Sequence, residues 1–393
     1  MSVVNKLQSN VKILYGYWFS HALVFAYVIE RLFWSGRGIE IEQVVYLEII
    51  YAITVSVLEI PTGYWADRWS RKWLMVGGGF FTCLELLILI YAWNFWSFAL
   101  AMISAGIAKA ATSGTANALL YDSLKQLEQT RQFERILGRI RSLDYLAGTL
   151  AALTGSWVAA RYGLVTTYWL SLGSVIVSFV SAWALTEPTV RTSAEPGVTQ
   201  PRLVSRSWQF LMVHRELWIV MSYGVITGVC LSYLDEFWQL YLDGFMFPLG
   251  WFGVVSSVNS LGVSLGSWVA HRLQRRSLPT LFALLLGLMA VGFVAMAGLR
   301  NGWGILVMVG VYGAAGIIEP LVAGYCQHRI PSAIRATVES FQSLAFRIVA
   351  IPIGLGFSYI AKQAGVQGGL LALGGLLGGY WVLYQIKLKR QIS

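Results

Sequence analysis

Charged side chains are scarce in this sequence. Only 12% of its 393 residues are Asp, Glu, Lys or Arg, whereas 56% are hydrophobic. Soluble globular domains carry about 25% charged residues, so the composition excludes an ordinary soluble protein. The low charge and the long apolar runs between the charges indicate a chain that lies in a lipid bilayer.

Cysteine and histidine are also few, and their spacing does not fit the common metal sites. The cysteines lie inside apolar runs without the spacing of a zinc site or a disulfide framework, at Cys83, Cys230 and Cys326. The four histidines are scattered, without a His-Glu-x-x-His pattern. We therefore predict no metal site and three small buried thiols.

The sequence is also not expected to be that of an enzyme or of a nucleotide-driven pump. The run 77–79 is three glycines that open a helix, but it lacks the Lys and the Ser or Thr of a phosphate-binding loop. ATP-driven transport is therefore not expected. We also expect no nucleophile elbow, no catalytic residue and no cofactor, so the sequence does not predict an enzyme.

Long apolar runs recur along the whole chain. A helix needs about 20 residues to cross a hydrocarbon core of about 30 Å. We predict an all-α integral membrane protein with twelve transmembrane helices at residues 12–34, 43–65, 73–93, 95–124, 140–161, 164–186, 216–241, 247–271, 278–299, 302–328, 337–362 and 366–386.

The net charge of +10 is explained by the positions of the basic residues. With these twelve helices, 22 of the 29 Lys and Arg residues fall on one side of the membrane and five on the other. Lys and Arg resist translocation, so the basic side is cytoplasmic. We expect a multi-pass protein of the inner (plasma) membrane with both termini in the cytoplasm, and no nucleic-acid partner.

A tight polar hinge joins the second and third predicted helices. It contains Gly63, Ala66-Asp67-Arg68 and Arg71-Lys72. This spacing resembles the loop 2–3 signature of the major facilitator superfamily, although Trp65 replaces the usual Leu and Ser70 replaces the second Gly. The resemblance implies two six-helix bundles around a central cavity.

Two further stretches resemble one bacterial branch of that superfamily, whose members are described as drug-efflux transporters. They are residues 59–63 and residues 118–125. One feature disagrees with this branch. The fifth helix of antiporters is expected to contain Gly-Pro near its centre, and residues 148–155 contain no proline.

The second half of the sequence repeats features of the first at shifts of 204 to 210 residues. Residues 66–72 correspond to 270–276, Gly106-Ile-Ala-Lys109 corresponds to Gly316-Ile-Ile-Glu319, and Glu30 corresponds to Glu236. Such a repeat predicts six helices plus six. We expect an N-terminal bundle at 1–186, a flexible cytoplasmic linker at 187–215 and a C-terminal bundle at 216–393.

Ionisable residues inside apolar runs are the best candidates for a transport site, because each costs about 2.5–3.5 kcal/mol to insert. Lys109 and Glu319 occupy equivalent positions of the repeat, on helices that the resemblance places around the cavity. We predict that they face one cavity, where they bind a polar substrate group or exchange a proton. A fixed salt bridge, or a Lys109 that reaches the membrane surface, is the structural alternative.

Three more acids, Glu30, Asp235 and Glu236, lie toward the outer ends of the first and seventh predicted helices. They could draw cations or protons into an outward-open cavity, whereas Arg31 is predicted to be a solvated helix-end charge. The aromatic residues around Glu236 suit a lipophilic cation, through cation–π attraction, or an ordinary interfacial belt. The sequence leaves both interpretations open.

The hinge is predicted to act as a gate. A carboxylate is stabilised by a helix N-terminus or a nearby cation, so we expect Asp67 to hold the two halves together on the cytoplasmic side. Asp144 and Arg347 are expected to add contacts between the halves, and static packing is the alternative. The predicted gate residues are Glu59, Gly63, Asp67, Arg68, Arg71, Lys72, Asp122, Asp144 and Arg347.

These features together predict a secondary active transporter that works by alternating access. By resemblance we favour proton-coupled efflux of hydrophobic or cationic compounds, with a small molecule, protons and lipid as partners and a monomer as the working form. The candidate proton carriers are Glu319, Glu236 and Glu30. Two alternatives stay open: a proton-coupled uptake symporter for a small polar solute, and a membrane sensor or structural partner that does not transport.

Overall fold

The part of the chain that the structure describes is helical. The structure is a computed structural model that describes residues 3–189, 200–273 and 277–388. Within these ranges the regular elements are helices, and no β-strand occurs. The prediction of an all-α protein is confirmed.

Two compact units divide the chain. The first comprises Met1–Pro196 and Pro248–Val254, and the second comprises Gly197–Phe247 and Val255–Ser393. The short segment at 248–254 belongs to the first unit because it packs on the helix that contains Ala152, where Gly253 leaves no room for a side chain. The predicted domain boundaries at 186, 187–215 and 216 stay a prediction.

The first unit contains eight complete helices and three single 3₁₀ turns within its described residues. The helices are α1 (Val3–Ala22), α2 (Glu30–Gly36), α3 (Ile41–Arg68), α4 (Arg71–Tyr91), α5 (Phe95–Thr112), α6 (Thr115–Gln126), α7 (Phe133–Tyr162) and α8 (Leu164–Ala184). A core cluster that includes Leu14, Met75 and Leu119 joins α1, α4 and α6.

The first predicted transmembrane helix, 12–34, is broken. α1 ends at Ala22, and a 3₁₀ turn at Tyr27–Ile29 precedes α2. Two serines of α8 satisfy backbone groups that the break exposes: Ala26 N donates to Ser171 Oγ at 3.0 Å, and Ser174 Oγ donates to Leu23 O at 2.6 Å. Irregular backbone at membrane depth persists only where such partners exist, and in transporters it often adjoins a binding site.

The fourth predicted helix, 95–124, is also divided. α5 ends at Thr112 and α6 begins at Thr115, with Gly114 between them at a φ of 72°. A residue with a side chain would be strained in this left-handed conformation, so glycine permits the change of direction. The helix is therefore interrupted at Gly114, whereas the segment as a whole, Phe95–Gln126, is long and apolar enough to cross a membrane, as predicted.

The second unit contains the remaining helices. They are α9 (Gln200–Val213), α10 (Arg215–Asp243), α11 (Phe252–Leu273), which begins in the first unit, α12 (Leu278–Gly298), α13 (Gly302–Arg329) and α14 (Ser332–Leu383). A non-helical residue, Gly365 with a φ of 71°, divides α14 between the predicted eleventh and twelfth helices.

Helix α9 lies inside the segment that was predicted to be a flexible linker. The expectation of irregular chain throughout 187–215 was therefore wrong for Gln200–Val213. Its Trp208 contacts Trp218 and Phe341 at ring-centroid distances of 5.7 and 6.1 Å. Packing of one aromatic face, rather than a continuous apolar run, keeps this short polar sequence helical.

Corresponding glycines produce a close helix contact in each unit. A Cβ atom at Gly106 of α5 would collide with Thr54 of α3, and one at Gly316 of α13 would collide with Val263 of α11. Small residues let two helices approach in a membrane without losing contact. The two contacts are equivalent in the predicted repeat, and Lys109 and Glu319 each follow the contact by three residues.

Nine segments of the described chain are long and apolar enough to cross a membrane. One of them, Thr337–Ile386, contains the interruption at Gly365 and is 50 residues long. The predicted helices 12–34 and 140–161 are not among the nine, because the first is broken and the second is rich in polar residues. A multi-pass helical membrane protein is thus confirmed, and the number twelve stays a prediction.

Candidate functional site

The hinge between α3 and α4 brings together two residues of the predicted gate. Arg71 forms an ion pair with Asp122 of α6 through Nη1 and Oδ2, and the two side chains are only 6% and 2% exposed. Arg71 Nη1 also donates to Ala118 O at 3.1 Å. Both partners lie in the first unit, where the pair joins α4 to α6. The topology prediction assigns this end of the helices to the cytoplasmic side.

Glu187, which follows α8, completes the start of α4. Its carboxylate accepts hydrogen bonds from Ser70 Oγ at 2.6 Å, from Arg71 N at 3.1 Å and from Lys72 N at 2.8 Å. Ser70 Oγ in turn accepts from Trp73 N at 3.3 Å. The carboxylate satisfies N–H groups that a helix start leaves unbonded, and it interacts favourably with the helix dipole.

A second side chain ties the same segment to α1. Asn10 is fully buried and donates through Nδ2 to Ser123 Oγ at 3.0 Å and to Thr186 O at 2.8 Å. Thr186 N donates back to Asn10 Oδ1 at 2.8 Å. The chain after α8 is therefore held by α1, α4 and α6. Sequence reasoning missed Asn10 and Glu187 because their partners lie more than 100 residues away.

The remaining gate candidates on α3 and α4 are more peripheral. Arg68 is exposed and donates to Tyr64 Oη, and Lys72 lies 5.9 Å from the Trp73 ring. Glu59 and Gly63 are exposed, and no atom lies within 4 Å of the Cβ position of Gly63. The side chain of Asp67 lies outside the described residues.

Lys109 belongs to a polar group on α1, α5 and α7 of the first unit. Lys109 interacts electrostatically with His21 of α1 and with Asp144 of α7. The His21 ring stacks on Tyr17 with a centroid distance of 5.6 Å, and Arg141 of α7 also acts on Asp144. The group combines cationic, anionic and imidazole side chains.

The sequence predicted Lys109 as a substrate or proton residue and Asp144 as a gate residue, and it gave no role to His21. The histidine was judged only by metal-ligand spacing, a test that it fails. Its position in an apolar helix was a usable signal, because a polar ring at membrane depth needs a partner just as a charge does.

A second ionisable group of the first unit lies beside the break between α1 and α2. Arg31 of α2 forms ion pairs with Glu48 of α3 at 2.6 Å and with Glu30 at 3.8 Å. The Arg31 guanidinium also lies 4.2 Å from the centre of the Trp34 ring. Arg31 is 4% exposed, so the prediction of a solvated helix-end charge was wrong. The ion pairs keep it buried.

Two carboxyls, Glu48 of α3 and Glu85 of α4, were not among the predicted site residues. Both lie inside predicted apolar helices, so the argument that selected Lys109 would have selected them too.

The second unit contains a pocket around Glu319. Its volume is about 380 Å³, which lies within the range of small-molecule sites. Most of the lining is apolar, with Leu231, Val263 and Val322 among its residues. Glu319 of α13 is exposed to this pocket.

The other charged residues of the pocket are engaged with groups at its edge. Glu339 accepts a hydrogen bond from Gln327 Nε2 at 2.6 Å. Arg335 donates through Nη2 to Gln327 O at 3.0 Å and to Ile330 O at 3.1 Å. With Glu319 and Glu339 against Arg335, the ionised lining has an excess of one negative charge.

The acids on α10 differ from each other. Asp235 accepts a hydrogen bond from Tyr312 Oη of α13, and Glu236 beside it is partly buried. The neighbouring aromatics are core residues: Tyr233 and Phe237 stack on Phe357 at 5.7 and 4.8 Å. They do not form an open surface for a cation, so that interpretation of the aromatic pattern was wrong.

Arg347 is a partly buried residue of α14, in the second unit, whereas Asp144 lies in the first. Their predicted contacts between the halves stay a prediction.

One short motif is explained by the fold. Residues 262–266 read Gly-Val-Ser-Leu-Gly, so the Gly-x-Ser-x-Gly pattern of a nucleophile elbow does occur in the sequence, and the expectation that it is absent was wrong. They lie within α11, where Ser264 Oγ donates to Ser260 O at 2.8 Å. An elbow needs a sharp strand-to-helix turn, so this serine is a helix residue and not a nucleophile.

Comparison with known proteins agrees with the fold. The sequence pattern of the Major Facilitator Superfamily matches residues 17–355. A curated relative, the inner membrane transport protein YajR of Escherichia coli K12, is 22% identical over 357 residues, which is 86% of this chain and 74% of YajR.

Two solved structures have the same fold at low identity. A point mutant of the nucleoside transporter NupG has a TM-score of 0.78 and 15% identity, covering 98% of this chain and 100% of that one. A bacterial homologue of the human lysosomal transporter Spinster, inward-facing and occupied, has a TM-score of 0.73 and 11% identity, covering 98% and 97%. With the family pattern spanning most of its length, this chain belongs to the major facilitator superfamily and is a membrane transport protein rather than an enzyme.

Proposed function

We propose that this protein exports hydrophobic or cationic compounds and that protons drive the export. The pocket around Glu319 carries the proposal, because an apolar cavity of about 380 Å³ with an excess of negative charge suits a lipophilic cation. Glu319 attracts the cation, and the apolar wall replaces the water around its hydrocarbon part.

Protons compete with the cation for the same carboxylate. A carboxyl exposed to a cavity at membrane depth can be neutralised by a proton or by a cationic ligand, and both avoid the cost of an uncompensated charge. Loading one therefore displaces the other, which is the exchange that an antiporter needs. Glu236 and Glu30 are further candidate proton carriers, and Asp235 is a candidate substrate residue.

Binding of a lipophilic cation tests this proposal. Tetraphenylphosphonium should bind to the purified protein in nanodiscs, and Glu319→Gln should weaken that binding at least tenfold. Glu339→Gln is the matched control, because its carboxylate lines the same pocket but is held by Gln327, and it should change the affinity much less. Equal affinity of Glu319→Gln and wild type would contradict the assignment.

A specific observation favours a second candidate, the uptake of a small polar solute with protons. The group of His21, Lys109 and Asp144 presents both signs of charge within the first unit. A small solute with a carboxylate and a cationic group could pair with both. Lys109→Ala should then abolish uptake of such a solute, whereas export of a lipophilic cation should continue.

We propose further that the hinge acts as the cytoplasmic gate. The Arg71–Asp122 pair and the Glu187 cap make the start of α4 rigid, and Asp67 at the end of α3 holds the halves together in the outward-open state. Glu59, Gly63, Arg68 and Lys72 complete this gate, and Asp144 and Arg347 add contacts between the halves. A folded Asp67→Asn protein with wild-type transport rates would refute the role of Asp67.

The proposal also includes the location, the topology and the oligomeric state of the protein. The protein would reside in the inner membrane as a monomer, with both termini in the cytoplasm, because the basic connections lie on that side.

A further inference from the structure

Helix α9 ends where a candidate membrane span begins. Its last residue is Val213, and α10, which is long and apolar enough to cross a membrane, begins at Arg215. One residue separates the two helices, so their ends lie within about 7 Å of each other. The carboxyl end of α9 is therefore at the level where α10 enters the bilayer. The positions of the basic residues predict that this level is the cytoplasmic surface.

One face of α9 packs on the second unit. Ser207 and Leu211 are fully buried, and the Trp208 ring contacts Trp218 of α10 and Phe341 of α14 at centroid distances of 5.7 and 6.1 Å. These contacts fix the rotation of α9 about its own axis. The direction of its other faces is therefore defined.

The adjacent face of α9 is apolar and exposed. Val204, Trp208 and Met212 follow each other at intervals of four residues and are 47%, 49% and 59% exposed. Residues four apart lie on one side of a helix, so the three side chains form a continuous stripe. Arg206 lies on the far side of the helix and is also exposed. An apolar stripe opposite a basic polar face is typical of a helix that lies in the membrane surface.

An open groove lies where α9 meets α10. Its volume is about 400 Å³, and it is lined by Met212, Arg215, Trp218 and Ile219. Three of these side chains are hydrophobic, and the fourth carries an exposed guanidinium. Among the residues that the structure describes, no carboxylate forms an ion pair with Arg215. The groove thus combines a cation with an apolar wall.

The chemistry of the groove and its position favour a lipid as the occupant. A guanidinium binds phosphate oxygens through paired N–H donors, and the apolar wall beside it suits a hydrocarbon chain. Residues 200–215 contain three arginines and no Asp or Glu, so their charge favours an anionic lipid over a zwitterionic one. In a symmetric dimer this basic face would meet itself, and the like charges disfavour a second copy of the chain.

We propose that α9 lies in the cytoplasmic surface of the membrane and that the groove at its carboxyl end binds an anionic phospholipid. The Arg215 guanidinium binds the lipid phosphate, and Met212, Trp218 and Ile219 contact the first part of an acyl chain. The rest of the apolar stripe inserts at the boundary between headgroups and hydrocarbon. This site needs neither a substrate nor a proton, so it does not depend on the proposed function.

Native mass spectrometry of the purified, delipidated protein tests the groove. Dioleoyl phosphatidylglycerol should bind about fivefold more tightly than dioleoyl phosphatidylcholine, and Arg215→Ala should remove most of this difference. Arg300→Ala is the matched control, because it removes the same charge from an exposed site between α12 and α13 of the same unit, and it should keep both affinities. Equal phosphatidylglycerol affinities of wild type and Arg215→Ala would overturn the proposal.

The contact with the acyl chain has its own test. Met212→Ser places a polar side chain in the groove while Arg215 stays in place, and it should weaken the binding of both lipids several-fold. Inorganic phosphate in excess should not displace phosphatidylglycerol, because it has no acyl chain to contact the apolar wall. Displacement of the lipid by phosphate, or wild-type affinities in Met212→Ser, would overturn the assignment of the groove to a lipid.

Spin labels in nanodiscs test the position of α9. In a background without the native cysteines, Val204→Cys and Gln209→Cys place a label on the apolar stripe and on the exposed polar side. The label at position 204 should collide more often with oxygen, which is enriched in lipid, and the label at position 209 with a water-soluble nickel chelate. Equal collision rates of both labels with the chelate would overturn the proposal. A dimer that shields position 204 from both reagents would overturn it as well, in favour of a second copy of the chain.

Discussion

Replacement of Asp122 by alanine should destabilise the first unit by about 3–5 kcal/mol, the cost of leaving one partner of a buried ion pair uncompensated. Arg71 and Asp122 are 6% and 2% exposed, so water screens their interaction very little. For a unit of this size, each kcal/mol lowers the unfolding midpoint by about 2–4 °C, which gives about 6–20 °C in total.

The cysteines of the chain make this measurement specific to one unit. Cys83 lies in the first unit, whereas Cys230 and Cys326 lie in the second. Cys83 is partly exposed in the folded protein, so the prediction of three buried thiols was wrong for this one. In a background of Cys230→Ala and Cys326→Ala, a thiol-reactive fluorescent dye labels Cys83 alone, and its labelling rate should rise when the first unit unfolds. The midpoint of this signal on heating is the quantity to compare between variants.

Two controls separate the ion pair from general damage. Arg68→Ala removes an exposed arginine of the same hinge and should stay within about 0.5 kcal/mol of wild type. The double variant Arg71→Leu with Asp122→Leu should recover most of the loss, because an apolar pair of similar volume often replaces a buried ion pair without cost. A midpoint for Asp122→Ala equal to that of Arg68→Ala would refute the reasoning.

Two further substitutions test local contacts by the same unfolding assay. Glu187→Ala removes three hydrogen bonds to a charged acceptor at the start of α4 and should lower the free energy of unfolding by about 1.5–3 kcal/mol or more. The control is Glu134→Ala, at the exposed start of α7, which should lower it little. Equal effects of the two substitutions would mean that the cap is not stabilising. Gly106→Val should lower the free energy of unfolding by about 1–3 kcal/mol, because the new side chain meets Thr54. The control is Gly138→Val, whose side chain meets no atom within 4 Å and should not separate two helices. An unfolding midpoint for Gly106→Val equal to that of wild type would disprove the close contact.

Apolar periodicity and the hinge motif were sufficient for the fold. The runs at 43–65 and 73–93 correspond to α3 and α4, and Ser70 caps α4 where the polar hinge predicts a helix start. The repeat also matched Gly106 with Gly316, and the structure shows a close helix contact at each of them, which the sequence had not predicted. The helix positions depend on local sequence, which is why they could be predicted.

Helix breaks at membrane depth could not be predicted in this way. The stretch 23–29 is as apolar as its flanks, so no local signal ends α1 at Ala22. Its irregular backbone is stable because Ser171 and Ser174 of α8 bond to it. That partnership joins residues about 150 positions apart, and a single sequence does not reveal it.

The ionisable residues could likewise be predicted only in part. Lys109 and Glu319 were identified because each interrupts an apolar run; in the structure Glu319 lines a pocket, and Lys109 interacts electrostatically with Asp144. Arg31 was misjudged because its position near a helix end resembles a solvated site, whereas Glu48 pairs with it in the interior. Which charges meet depends on the packing of α2, α3 and α4, and this is information that spacing along the chain does not contain.

Proton-driven flux tests the proposed function most directly. Liposomes that contain the purified protein and are acidic inside should accumulate ethidium, because protons that leave down their gradient drive the cation inward through an antiporter. An ionophore that collapses the proton gradient should abolish the accumulation, and Glu319→Gln should reduce it at least tenfold. Accumulation equal to that of empty liposomes, or accumulation that survives the ionophore, would contradict proton-coupled transport of cations by this protein.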